Sequence, residues 1–187
     1  MSPPTRPGRG GRGCRQRLSM PGPNALNRRL RDLAHRYVEA MVQEHADRVV
    51  SAALFGSVAR GEATPHSDID LLFVITGLPR SQLPRHDLLV GPDARVEPLL
   101  AALRREGVTV EVRPILKTPE EAARPTLLYL DLVEDAELIV DRGGFLRGIL
   151  EDFRRSLARL GARRVRRGDT WYWDLKPDYR PGEIFEL

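Results

Sequence analysis

Asp68 and Asp70 stand one residue apart at the head of an apolar run that continues from Leu71 to Ile75. Alternate side chains of a strand share a face, so both carboxylates project the same way while Ile69 turns to the core. Two such acids repel each other and lose hydration, an arrangement that costs stability unless a cation sits between them. Oxygen ligands alone suit magnesium, which takes one or two protein carboxylates and leaves its other positions to water and substrate phosphates. A second group of residues answers the first. Gly56 and Ser57 follow the apolar run Val49 to Phe55, where glycine lets the backbone come close to a ligand. The serine adds a hydroxyl beside the amides of a helix start, a place that favours phosphate. These are parts for binding a metal-bound polyphosphate. The plainer alternative is a solvated turn, with Ser67 capping it and both aspartates in water.

The elements that must hold these residues follow from periodicity and punctuation. Val49 to Phe55 reads as a buried strand and Gly56-Ser57 as the opening of a short helical turn. Before them, Asn24 reads as the cap of a helix whose Leu26, Leu30, Leu33, Tyr37, Val38, Met41 and Val42 form one apolar stripe against the sheet. His35 and His45 read as surface residues of this helix. Pro79, Pro84, Pro92 and Pro98 make residues 76–98 a loop with at most a short helix near 82–90, followed by a helix over Leu99 to Arg105 that ends at Gly107.

Val108 to Leu116 alternates as a strand, with Thr109, Glu111 and Arg113 on the face opposite Val108, Val110 and Val112. Thr118 caps a short helix with Pro119 in its first turn; a further helix spans about 126–133, and Glu137 to Asp141 forms a strand stopped by Gly143-Gly144. From Phe145 runs an amphipathic helix with core face Phe145, Ile149, Leu150, Phe153, Leu157 and Leu160, ended by Gly161. A Gly168-Asp169 step between β-prone runs reads as a hairpin, with arginines packed over Trp and Tyr. The expected class is α+β: a small mixed sheet with flanking helices, plus a C-terminal helix and hairpin. The expected division is a disordered Arg/Gly/Pro-rich tail at 1–23, a domain at 24–142 and an extension at 143–187.

The pattern Gly-Ser-x-x-Arg-Gly, a short spacer, then Ser-Asp-x-Asp-Leu resembles the DNA polymerase beta-like nucleotidyltransferase superfamily, in particular its minimal nucleotidyltransferase (MNT) branch. The motif covers Leu54 to Val74, and the order of strands and helices agrees from about Leu26 to Asp141. The resemblance implies that Gly56 and Ser57 hold the phosphates of an NTP, ATP being the expected one, and that Asp68 and Asp70 bind magnesium. It also implies a third acid from the strand beside the aspartate pair, and Glu111 is the residue in that place, with Arg113 its alternative salt-bridge partner. Arg60 and Ser67 are the further nucleotide-binding candidates, Arg60 being equally readable as a surface charge. Proteins of the branch include antitoxins that adenylylate a HEPN-class toxin. The resemblance thus implies magnesium-dependent transfer of a nucleoside monophosphate from an NTP to a hydroxyl on a protein or small-molecule acceptor, with a HEPN-class partner or a homodimer expected; the alternative reading is a non-catalytic nucleotide-binding or antitoxin subunit acting by partner binding.

Composition narrows the classes. The 187 residues carry a formal charge of +4, but Arg6, Arg9, Arg12, Arg15 and Arg17 lie in an N-terminal stretch without acids. Setting those five aside leaves 25 basic against 26 acidic residues, so nucleic-acid binding is possible for the tail but not favoured for the domain. No apolar run reaches the roughly 18 residues of a membrane span. The lone Cys14 excludes an internal disulfide, the cytoplasm is the expected location, and Met20 is an alternative start. Ser57 lacks the Gly-x-Ser-x-Gly context of a hydrolase nucleophile, Lys117-Thr118 lacks the glycines of a P-loop, and His66 reads as a residue of the loop rim.

Overall fold

The computed structural model describes residues 22–168, 170–180 and 183. Cys14, Met20, most of the N-terminal tail and Asp169 of the hairpin turn lie outside the described residues. In chain order the elements are α1 (Pro23–His45), β1 (Val49–Phe55), α2 (Gly56–Arg60), β2 (Ile69–Ile75), α3 (Leu83–His86), α4 (Val90–Arg105) and β3 (Val112–Lys117). There follow α5 (Pro119–Ala122), α6 (Leu128–Asp135), β4 (Glu137–Asp141), α7 (Phe145–Arg159), β5 (Arg163–Arg167) and β6 (Thr170–Asp174).

Four strands make a mixed sheet in the order β3-β2-β1-β4, in which β1 runs antiparallel to β2 and β4 while β2 and β3 are parallel. Strand alternation splits the core in two. Ala52, Leu54, Ile69, Leu71, Phe73 and Ile75 point to one face and pack under α1 and α4 through Leu30, Tyr37, Met41, Val96 and Leu103. Ala53, Phe55 and Leu72 point to the other and pack under α6 and α7 through Tyr129, Leu132, Leu146, Leu150 and Phe153. The architecture is the α+β class expected, with mixed sheet, flanking helices and terminal hairpin in place. The second core joins the sheet to α7, so the 142/143 boundary falls within a shared core; Trp173 and Leu175 pack at its margin.

Several boundaries differ from the sequence reading. Helix α1 begins at Pro23 with Gly22 as its cap residue, so Asn24 is not the cap; proline at the first position needs no amide partner, which makes the earlier start free of cost. Helix α4 runs from Val90 straight through Pro92 and Pro98. Pro92 falls in the first turn, where amides are unpaired anyway, and the bond lost at Pro98 is offset by burial of Val96, Leu100 and Leu103 against α1. Strand β3 starts only at Val112: Val108 and Val110 are buried, but upstream of the ladder the chain is tied by Thr109 N–H to the Pro65 carbonyl. On α7 the buried residue of the first turn is Leu146, not Phe145. Two bonds set that helix start, as the Leu146 and Arg147 amides donate to the Asp141 carboxylate at 2.8 and 3.2 Å.

The short α5 forms as its sequence implies. Thr118 Oγ1 accepts from the Glu121 amide and the Glu121 carboxylate accepts from the Thr118 amide, a reciprocal cap. Glu121 also grips Arg85, whose side chain is only 3% exposed, through two bonds of 2.7 and 2.8 Å. Arg85 further donates to the Pro79 and Leu116 carbonyls, so this one buried cation fastens α3 to the edge strand β3.

Candidate active site

The second sheet face is covered by α6 and α7 only over part of its length. Beyond Leu72, the same face of the β2 segment continues as Asp70 and Asp68, and there it opens into a cleft of about 580 Å³. The cleft is lined by Gly56, Ser57 and Arg60 from α2, Ser67, Asp68 and Asp70, Arg113 and Ile115 from β3, and Leu128 and Asp131 from α6; Phe55, His66 and Arg164 complete it. Alternation along β2 thus turns core into site within two residues.

Gly56 and Asp70 are in direct apposition. Phe55 pairs with Asp70 across the β1–β2 ladder, Gly56 has φ +76°, and a Cβ at Gly56 would fall 2.5 Å from Asp70 Oδ2. No other residue type satisfies both demands. The turn after it is braced from a distance: the buried Asn27 of α1 donates to the Val58 carbonyl at 3.2 Å and accepts from the Ala63 amide at 3.3 Å. At the end of α2, Arg60 is held by Glu62 at 2.8 Å and by Asp135 of α6 at 3.0 Å.

The electrostatics are those of a crowded anionic site. Burial pushes the Asp70 carboxyl above the usual carboxylate range, the charges of Asp68 and Asp131 push it further, and Arg113 and Arg60 partly restrain it. Asp68 pairs with Arg113 at 2.9 Å. The parallel register explains the partner, because Arg113 sits opposite Asp70 on the neighbouring strand. Among the described residues no three His, Cys, Asp or Glu side chains gather as a ready-made metal cluster. The residues fit magnesium in its substrate-assisted form, with two carboxylates from the protein and the remaining oxygens from phosphates and water. The half-buried, repelling pair is what a cation would relieve.

Of the residues singled out in the sequence, Gly56, Ser57, Arg60, Ser67, Asp68 and Asp70 are brought together. Ser67 also closes its own turn, its Oγ accepting from the Thr64 amide at 2.9 Å. His66 sits at the rim, 2.8 Å from the Thr109 hydroxyl. Glu111 is exposed and one step outside the β3 ladder; its carbonyl accepts from the Ile69 amide, and its side chain is not part of the cleft lining. Asp131 and Leu128 lie outside the sequence motif, and Arg164 reads in the sequence only as one of the hairpin arginines. The signal for the first two was present as a helical spacing, since Leu128, Asp131 and Asp135 recur at i, i+3 and i+7 on the face of α6 turned to α2 and the cleft. A second cleft of about 420 Å³, between α3 and β3, adjoins this one through Ile115.

Known proteins resemble the chain in the same terms. The nucleotidyltransferase domain family matches residues 35–136. A candidate protein adenylyltransferase of Methanocaldococcus jannaschii is 28% identical over 133 residues, which cover 70% of this chain and 85% of that protein. A crystal structure of a toxin–antitoxin complex with AMP-PNP matches with 15% identity over 68% of this chain and 92% of that chain, at a TM-score of 0.42. The tri-AMPylated Shewanella oneidensis HEPN toxin in complex with its MNT antitoxin matches with 12% identity over 70% and 92%, at a TM-score of 0.40. Among the described residues no helix is long and apolar enough to cross a membrane.

Proposed function

The chain belongs to the nucleotidyltransferase domain family, and from that premise we propose that it moves AMP from ATP to a hydroxyl of a protein acceptor and releases pyrophosphate. The observation that carries this reading is the Asp68–Asp70 pair at the open end of the second sheet face, set against the bare backbone of Gly56. The choice of AMP and of a protein acceptor is supported by the name of the M. jannaschii relative. The acceptors that follow from the sequence resemblance are a HEPN-class toxin and a second copy of this chain.

In this reading Asp68 and Asp70 hold magnesium together with the nucleotide phosphates, and what the ion supplies when bound is Lewis-acid polarisation of those phosphates. Gly56 admits the triphosphate close to the main chain, and Ser57 offers its hydroxyl beside it. Arg60, steadied by Glu62 and Asp135, lends positive charge to the phosphates, and Arg113 exchanges Asp68 for them as the nucleotide enters. The acceptor oxygen forms a bond to the α-phosphorus, the bond from that phosphorus to the bridging oxygen breaks, and pyrophosphate leaves.

Incubation of the protein with α-labelled ATP, magnesium and each candidate acceptor tests the proposal. Label is expected on one acceptor and is expected to vanish with Asp70→Asn. The Asp68–Arg113 ion pair favours a second reading, in which the anionic site is internally neutralised and the protein only binds nucleotide or a partner. That reading wins if no label moves and partner binding survives Asp70→Asn.

A further inference from the structure

We infer that Asp131, on α6, is the group that takes the proton from the attacking acceptor hydroxyl. This inference rests on the transferase reading above and names a residue that the sequence motif does not contain. The other acid of the motif pair, Asp68, is paired with Arg113, and Arg60 is paired twice. Asp131 lines the same cleft, is exposed, and has no side-chain hydrogen bond or ion pair to any of the described residues. It lies close enough for its charge to act on the Asp70 carboxyl.

The packing of α6 dictates that position. Tyr129, Leu130, Leu132 and Val133 are buried, which leaves 128, 131 and 135 on the stripe facing α2 and the cleft. Asp135 is anchored on Arg60, so the stripe is fixed in rotation and Asp131 is set one turn nearer the helix start. An ionised carboxylate there is an acceptor only, with lone pairs free for a hydroxyl. Glu111, one step before the β3 ladder and on the same face as Arg113, is exposed and is not among the residues lining the cleft.

The step balances with the groups present. The acceptor O–H proton passes to an Asp131 oxygen as the oxygen bonds the α-phosphorus, and the electron pair of the broken P–O bond leaves with pyrophosphate. The Asp131 carboxyl then returns its proton to water when the product departs.

Single-turnover transfer from α-labelled ATP, to a HEPN-class toxin and in parallel to water, is measured for the parent protein, Asp131→Asn, Glu111→Gln and Asp70→Asn. Binding of magnesium with a non-hydrolysable ATP analogue is measured on the same four proteins. Asp131→Asn is expected to slow the chemical step by about 10²-fold or more, the usual worth of a positioned base. Its affinity for the analogue is expected to stay within about twofold of the parent, because a base makes no contact with the bound nucleotide. Three outcomes overturn the inference: transfer by Asp131→Asn within about threefold of the parent, joint loss of transfer and analogue binding in that variant, or a loss of transfer in Glu111→Gln that Asp131→Asn does not share. A parent protein that transfers no label at all removes the transferase reading itself, and the inference with it.

Discussion

The two faces of one sheet are put to opposite uses. Toward α1 and α4, the strands present Leu54, Ile69, Leu71 and Phe73, all fully buried, and the layer is closed along its length. Toward α6 and α7, the same strands present Ala53, Phe55 and Leu72, after which the layer ends and Asp70 and Asp68 meet solvent. Neighbouring residues of β2 therefore belong to different environments. The period of two lets a chain concentrate its stabilising burial on one side and spend the other on a group that costs stability. Without the closed face, a half-buried pair of like charges at the end of a strand would be a poor bargain for a domain whose net stability is only about 5–15 kcal/mol.

Substitutions at adjacent positions sharpen this contrast most. Asp70→Asn is expected to lower transfer by about 10³-fold, because on the proposed function Asp70 would hold the metal and several kcal/mol of transition-state charge stabilisation would go with it. The same change is expected to raise the melting temperature at pH 7 by about 2 °C. A carboxyl whose pKa is higher folded than unfolded costs stability above that pKa, so removing the charge returns it. The gain should disappear well below the 3.8 of an unperturbed Asp, and calorimetry across pH checks this. One residue along, Leu71→Ala is expected to cost about 3 kcal/mol in denaturant titration, with transfer unchanged in the folded fraction.

Gly56→Ala tests whether the open face tolerates a methyl group. The added Cβ meets Asp70 Oδ2 and sits at positive φ, so about 10²-fold in transfer is expected to go, the scale of a 1 Å misplacement. At the margin of the sheet, Glu121→Gln leaves the buried Arg85 without its anion and is expected to cost about 2 kcal/mol, less than a fully buried pair because Glu121 reaches water. Arg85 holds the Glu121 carboxyl down to about 2. Its contribution is therefore complete above the ordinary value of 4.5 and lost as pH falls through about 2, and parent and variant unfolding curves should converge there. The smallest effect is expected from Asn27→Ala, about 1–2 kcal/mol for two lost bonds and their buried partners.

The parts that local chemistry controls were readable from residues alone. Strand β1 ends where Gly56 interrupts an apolar run, β4 ends before Gly143-Gly144, and Thr118-Pro119-Glu120-Glu121 caps itself. What could not be read depends on tertiary partners. Pro98 looks like a helix breaker until Val96, Leu100 and Leu103 are seen to outweigh the lost bond. Arg113 looks like a partner for Glu111 two residues away, yet the parallel register sets it opposite Asp70 and beside Asp68. Asp131 shows in the sequence only as a helical spacing with Leu128 and Asp135; the docking of α6 across the second face, with Tyr129 buried beneath and Asp135 on Arg60, is what carries it to the cleft. Asn27 was hidden in an apolar stripe as a polar residue of no evident purpose.

That asparagine has a consequence for ligand capture. Because Asn27 of the first helix clasps both ends of the segment from Val58 to Ala63, the turn that follows Gly56 and Ser57, the proposed phosphate contacts, is held in shape before any ligand arrives. On the proposed function, a nucleotide bound beside it would forfeit little entropy in ordering it, and the affinity so preserved would come from rigidity rather than from additional contacts.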